Sequence, residues 1–127
     1  MVGIVVVSHS GDLARGLAEL AGQMAGESVA IEHAGGGPDG GLGTSEQLVS
    51  DAITRAEGGD GVVVLGDLGS AFLTARSVLE ERSADGVRLV DAPLVEGAIA
   101  AAVSASAGLT LDEVATAAEE TRSALKL

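Results

Sequence analysis

The chain has 127 residues, enough for one domain with a closed core, and 19 Asp and Glu against 7 Lys and Arg give it a formal net charge of −12. Such a surface repels nucleic acid, and the absence of cysteine excludes disulfides and thiolate metal sites. No basic segment precedes the N-terminal apolar run, which is too short to cross a bilayer, so a cytoplasmic protein without membrane insertion is expected.

Val2–Val7 is apolar and β-branched apart from Gly3, the composition of a parallel strand covered on both faces. From Leu13 the apolar residues recur at Leu17, Leu20 and Met24, which predicts a helix over Asp12–Ala25. Ser28–Glu32 reads as a short second strand. The loop Gly35–Gly43 follows, in which only Pro38, Asp39 and Leu42 are not glycine. Thr44, with Gln47 three residues on, reads as the capping box of a second helix over Ser45–Ala56, with Leu48, Ala52 and Ile53 on one face. Val62–Leu65, between Gly61 and Gly66, is a third buried strand. The turn Asp67-Leu68-Gly69-Ser70 leads into a third helix carrying Phe72, Val78 and Leu79. Val87–Val90 makes a fourth strand. Pro93 suits the first turn of a helix running to about Ser106, and Thr110-Leu111-Asp112-Glu113 is a capping box opening a last helix to about Leu125. Neither a repeat nor a linker interrupts the series. It predicts a single α/β domain over residues 1–127, an open, doubly wound, mostly parallel sheet of four or five strands in the order 2-1-3-4 with helices on both faces.

In that order the first and third strands are neighbours, and the chain leaves them in opposite directions. The crevice at their carboxyl ends is the topological switch point, where ligands bind in open α/β sheets. His9 follows the first strand and Asp67 the third, so the two are expected to face each other across it. A carboxylate on one imidazole nitrogen fixes the tautomer and leaves the other nitrogen as a nucleophile or base. Ser10-Gly11, Gly43-Thr44 and Gly69-Ser70 each stand at a helix start, where free N–H groups and the positive end of the dipole favour a phosphate. Arg15 and Arg76 lie on the flanking helices, at positions that read as solvated.

Other chemistries lack their signatures. The glycine-rich loop has no Lys-Ser/Thr ending, no Gly-x-Gly-x-x-Gly follows the first strand, and no Gly-x-Ser-x-Gly marks a hydrolase serine. His9 and His33 lack metal-ligand spacing, and His33 reads as the surface end of a strand, so neither a metal nor a cofactor is expected. Pro93–Ser106 is small and apolar on most faces, as in a helix packed in the core or at a dimer interface. Glu96 within it is free to cap a neighbouring element or touch a partner.

With these residues placed, the chain resembles the phosphotransfer subunits of phosphoenolpyruvate-dependent dihydroxyacetone kinases, which belong to the mannose-type IIA domains of the bacterial phosphotransferase system. The resemblance spans nearly the whole chain. It is carried by Val7-Ser8-His9-Ser10, Gly43-Thr44, Asp67-Leu68-Gly69-Ser70-Ala71 and Ala92-Pro93-Leu94-Val95-Glu96-Gly97-Ala98, the last being the most specific to the kinase branch. It implies that the histidine carrier protein of the phosphotransferase system phosphorylates His9. His9 would then pass the group to ADP in the nucleotide-binding subunit of the kinase. Asp67 would orient His9, while Ser10, Gly11, Gly43, Thr44, Gly69 and Ser70 hold the phosphate. A homodimer is implied as well. Two other functions share the motifs: a sugar-transport IIA component donating to a membrane permease, and a regulatory domain whose phosphorylation only reports metabolic state. This chain departs from the family in carrying only Asp39 where adjacent acidic residues usually precede Gly43-Thr44. It also lacks the carrier and enzyme I domains that some relatives append, so separate donor polypeptides are expected.

Abundant carboxylates, a single lysine (Lys126) and a single aromatic residue (Phe72) fit adaptation to high salt, with electrostatic steering of a basic partner as the alternative. Repulsion within a chain of charge −12 is screened over about 30 Å at 0.01 M salt and about 3 Å at 1 M. The thermal midpoint should therefore climb as potassium chloride rises from millimolar to molar. A flat or falling midpoint in calorimetry would leave steering as the better account, and transfer rates between proteins should then drop with salt.

Overall fold

The computed structural model describes every residue except Ser83 and Ala84. Four strands, β1 (Gly3–Ser8), β2 (Ile31–Gly35), β3 (Val62–Gly66) and β4 (Val87–Leu89), form one wholly parallel sheet in the order β2-β1-β3-β4, the order expected from the sequence. Among the described residues five helices connect and cover it: α1 (Gly11–Ala25), α2 (Glu46–Ala56), α3 (Gly69–Arg82), α4 (Leu94–Ser106) and α5 (Leu111–Glu120), followed by a short 3₁₀ turn, Thr121–Ser123.

Side-chain alternation in the two central strands divides the core in two. Ile4, Val6, Val63 and Leu65 point to one face, where they meet Leu17 of α1, Ala98, Ala101 and Ala105 of α4, and Val114 and Ala118 of α5. Val5, Val7, Val62 and Val64 point to the other, against Val49, Ala52 and Ile53 of α2 and Ala71, Ala75 and Val78 of α3. β1 is buried along its whole length. Its carboxyl end and that of β3 are therefore fixed by packing on both sides, with Val7 opposite Gly66.

Small residues bring the layers close. A Cβ on Gly3 would lie 2.2 Å from the Ala56 carbonyl oxygen, so the end of α2 rests on bare backbone. At Gly35 it would lie 2.5 Å from the Ser10 carbonyl oxygen, which presses the start of α1 against the end of β2.

Several local expectations shift. The second strand begins three residues later than Ser28, because Ile31 is the residue that pairs with Ile4. His33 is consequently within β2, where it is exposed. The inward face of α1 is Ala14, Leu17 and Ala21, which leaves Leu13, Leu20 and Met24 about half exposed. Ala14 meets the end of β2 closely, its Cβ 2.9 Å from where a Cβ on Gly35 would stand, and Leu17 packs with Ala98 of α4. In α2, Val49 takes the buried place expected of Leu48. Ser45, not Thr44, caps that helix, accepting from Leu48 N–H at 3.3 Å, while Gln47 binds Asp51. Pro93 stands one residue before α4, and α5 ends at Glu120.

Gly3→Ala should destabilise the fold by roughly 1–3 kcal/mol, the cost of forcing a methyl into a closed contact. Urea unfolding should show a lower midpoint with an unchanged slope.

Candidate active site

Asp67 N–H donates to the Val7 carbonyl at 3.1 Å, which carries the pairing of β1 and β3 one step past the strand. That bond seats the Asp67 carboxylate among donors from the neighbouring strand end. Oδ2 accepts from Ser8 Oγ at 2.9 Å and from the His9 backbone N–H at 3.0 Å. Oδ1 accepts from Leu68 N–H at 2.8 Å and lies 2.9 Å from His9 Nδ1. Burial works to raise the Asp67 carboxyl, but the hydrogen bonds from His9, Ser8 and Leu68 outweigh it and hold it below its ordinary value of 3.8. An ionised carboxylate only accepts hydrogen bonds, so the imidazole proton sits on Nδ1 and the lone pair on Nε2.

Nε2 faces Ser70 Oγ at 2.5 Å, at the first turn of α3. The Ser70 hydroxyl therefore donates to Nε2. The first-turn N–H groups of Gly69 and Ser70 have no intrahelical acceptor, the ordinary condition of a helix start and a favourable setting for an anion. The imidazole is about a quarter exposed, held on one edge and accessible on the other.

The remaining expected residues divide. Ser10 is next to the site, but its hydroxyl caps α1 by accepting from Leu13 N–H at 3.2 Å, and its N–H is bound to Ser8 Oγ at 3.0 Å. Gly11 opens α1 beside it. Gly43, at φ 131°, a conformation suited to glycine, donates its N–H to the His9 carbonyl at 2.9 Å. Thr44 directs its hydroxyl to Thr74 of α3 at 2.7 Å. The structure thus joins His9, Asp67 and Ser70 directly, Gly43 through the His9 backbone, and Thr44 through α3. Arg15 pairs with Asp12, and Arg76 is exposed. Glu96 is 2.5 Å from Lys126, which holds its carboxyl below the ordinary 4.5. Among the described residues no cluster of His, Asp and Glu could hold a metal ion.

Two residues escaped the sequence reading. Ser8 is fully buried and joins Asp67 to Ser10; its signal was a lone hydroxyl ending an apolar strand, where a buried polar group must find partners. Thr74 stands four residues after Ser70 and so on the same helix face. Apolar side chains lie exposed at the same edge of the sheet: Leu13, Leu42, Leu68, Leu73 and Val95.

The chain is similar to known proteins over most of its length. The family described as the fructose IIA component of the phosphotransferase system (EIIA-man) matches residues 3–115. The phosphoryl donor subunit DhaM of the PEP-dependent dihydroxyacetone kinase of Escherichia coli K12 is 44% identical over 120 residues, which cover 90% of this chain and 25% of that protein. This chain thus spans a quarter of the length of that relative. The DhaM of PEP-dependent dihydroxyacetone kinase 2 of Listeria innocua is 40% identical over 106 residues, covering 81% of this chain and 85% of that one. A crystallised protein of unknown function superposes with a TM-score of 0.80 at 35% identity, over 94% of this chain and 95% of that one. The phosphotransferase-system EIIA component of Streptococcus agalactiae, at 17% identity and a TM-score of 0.71, shares the fold over 99% of this chain and 97% of its own.

The lowered Asp67 pKa fixes the sign of one pH effect. A carboxylate depressed on folding contributes stability above its unfolded value, and that contribution is lost as pH falls through the folded value. Asp67→Asn should therefore be less stable than the wild type near neutrality, and should lose less of its thermal midpoint on acidification below about pH 4. Parallel pH profiles for the two proteins would contradict this.

Proposed function

The chain belongs to the EIIA-man family, in the branch of the DhaM phosphotransfer subunits, and from that membership we propose that it carries a phosphoryl group on His9 to a dihydroxyacetone kinase. The observation that carries the reading is the His9 imidazole, held through Nδ1 by Asp67 and with Nε2 turned to the Ser70 hydroxyl at the start of α3. The donor is the histidine carrier protein of the phosphotransferase system, and the acceptor is ADP in the nucleotide-binding subunit of the kinase. The regenerated ATP phosphorylates dihydroxyacetone.

In the loading step the Nε2 lone pair attacks the phosphorus of the donor's phosphohistidine. The Nε2–P bond forms, the donor N–P bond breaks, and its electron pair returns to the donor imidazole. The proton stays on Nδ1, so the phosphorylated ring is cationic and the Asp67 carboxylate compensates it across 2.9 Å. Ser70 releases Nε2 and turns its hydroxyl to a phosphoryl oxygen, joined by the N–H groups of Gly69 and Ser70. Ser10, Gly11, Gly43 and Thr44 complete the rim. In the second step a β-phosphate oxygen of ADP attacks phosphorus, and the Nε2–P electron pair returns to His9. No proton need move in either direction, which suits a relay that runs both ways.

The partners are protein surfaces, and the exposed Leu13, Leu42, Leu68, Leu73 and Val95 at the same edge supply apolar area for them. A homodimer and a cytoplasmic location belong to the same reading. No helix among the described residues is long and apolar enough to cross a membrane.

His9→Ala should abolish labelling from phosphoenolpyruvate in the presence of the two general donor proteins. Label persisting in that variant, or found on His33, would reject the assignment. Asp67→Ala should slow transfer by roughly ten- to a hundredfold, the loss of a charge-assisted hydrogen bond of about 1.5–3 kcal/mol. With both kinase subunits added, the labelled wild type should drive formation of dihydroxyacetone phosphate. Delivery instead to a sugar permease would assign the transport role.

A further inference from the structure

Helix α3 reaches His9 by two routes. The first is direct, through Ser70 Oγ at Nε2. The second begins one turn further on, where Thr74 Oγ1 stands 2.7 Å from Thr44 Oγ1. Thr44 adjoins Gly43, whose N–H donates to the His9 carbonyl at 2.9 Å. A turn beyond, Ser77 Oγ donates to Glu46 at 2.7 Å. Ser70, Thr74 and Ser77 lie at i, i+4 and i+7, one face of the helix, and together they face the imidazole and the segment that leads from the glycine-rich loop into α2.

That loop is closed on itself by Gly37 N–H to the Gly41 carbonyl at 2.8 Å, Gly40 N–H to the Gly37 carbonyl and Gly41 N–H to Asp39 at 3.1 Å, all of them short of Gly43. Between Gly36, bound to the Ser8 carbonyl at 3.2 Å, and Gly43, it is mostly glycine, with positive φ at Gly36, Gly40 and Gly43. Ordering so many glycines is entropically costly, so the far end of the loop depends on an anchor. The packing of α2 on α3 has fastenings besides Thr74. Arg82 Nη1 donates to the Ser50 carbonyl, Ser50 Oγ and Thr54 Oγ1 at 3.0–3.1 Å, and Val49, Ile53, Ala75 and Val78 share one core cluster. Removing the Thr74 hydroxyl therefore frees the loop end more than it loosens the helix pair.

We propose that Thr74 is a positioning residue for phosphoryl transfer. It holds Thr44, and through the adjoining Gly43 N–H it holds the His9 backbone, which keeps the imidazole aligned between Asp67 and the first turn of α3. Thr74 touches no reacting atom. The proposal rests on His9 being the phosphorylated residue, and the test separates the two ideas.

Single-turnover labelling of the purified chain by the general donor proteins and phosphoenolpyruvate would be measured for the wild type, Thr74→Val and Thr74→Ser, with ¹⁵N spectra of the His9 imidazole and thermal midpoints alongside. Thr74→Val should label about fivefold more slowly at saturating donor, the scale of one hydrogen bond, with the half-saturating donor concentration unchanged. The signal of the Nδ1 proton should broaden or shift. Thr74→Ser should restore both readouts. Wild-type labelling with an unchanged imidazole spectrum in Thr74→Val would overturn the proposal. So would a slowing that follows the thermal midpoint and is not rescued by serine. If the wild type takes no label on His9, the functional reading fails instead, and the imidazole spectra alone decide whether Thr74 positions the ring.

Discussion

One carboxylate organises the edge of the sheet where His9 lies. Asp67 accepts from Ser8, from the backbone and ring of His9, and from Leu68, so the ends of two strands converge on two oxygen atoms. Each oxygen has two donors, close to the capacity of an ionised carboxyl group, and this arrangement holds the charge despite burial. Strand pairing puts Asp67 there, since its own N–H continues the β1–β3 ladder onto Val7. The imidazole inherits its tautomer and its direction from this contact.

The two faces of the sheet divide the work around that contact. On one side α1, α4 and α5 close over Ile4, Val6, Val63 and Leu65, largely with alanine, and so approach the sheet closely. On the other side α2 and α3 carry the polar seam of Thr44, Thr74, Glu46, Ser77, Ser50 and Arg82. The face that bears on the imidazole is therefore held by directional hydrogen bonds as well as by packing. Directional bonds suit a place where an atom must be located to a fraction of an ångström.

The strand order, the facing of His9 and Asp67, and the place of Ser70 were legible because each depends on a strong pattern: short apolar runs rich in valine, His9 and Asp67 each two positions past a run, and a glycine-serine helix start. Finer features were not, because they depend on competition between similar residues. Leu13, Leu20 and Met24 have the helical spacing of a buried face, yet Ala14, Leu17 and Ala21 take it, Ala14 lying against the end of β2 at Gly35. Ser45 is the better helix cap of the pair in isolation, and it is the one that caps α2. The Thr44 hydroxyl is engaged by Thr74, 30 positions away. Ser8 was given no role of its own because its partner, Asp67, lies on another segment.

The glycine-rich loop offers a partner mostly outline. From Gly36 to Gly43 only three side chains exist, and Asp39 turns back onto Gly41 N–H at 3.1 Å. Pro38 and Leu42 are what remains to point outward, and Leu42 is 85% exposed. A protein approaching the imidazole past this loop meets a ridge of main chain with a single leucine on it. On the phosphoryl-carrier reading proposed above, discrimination between partners at that rim rests on contour, with the exposed Leu13, Leu73 and Val95 on the neighbouring helix starts offering side chains to read.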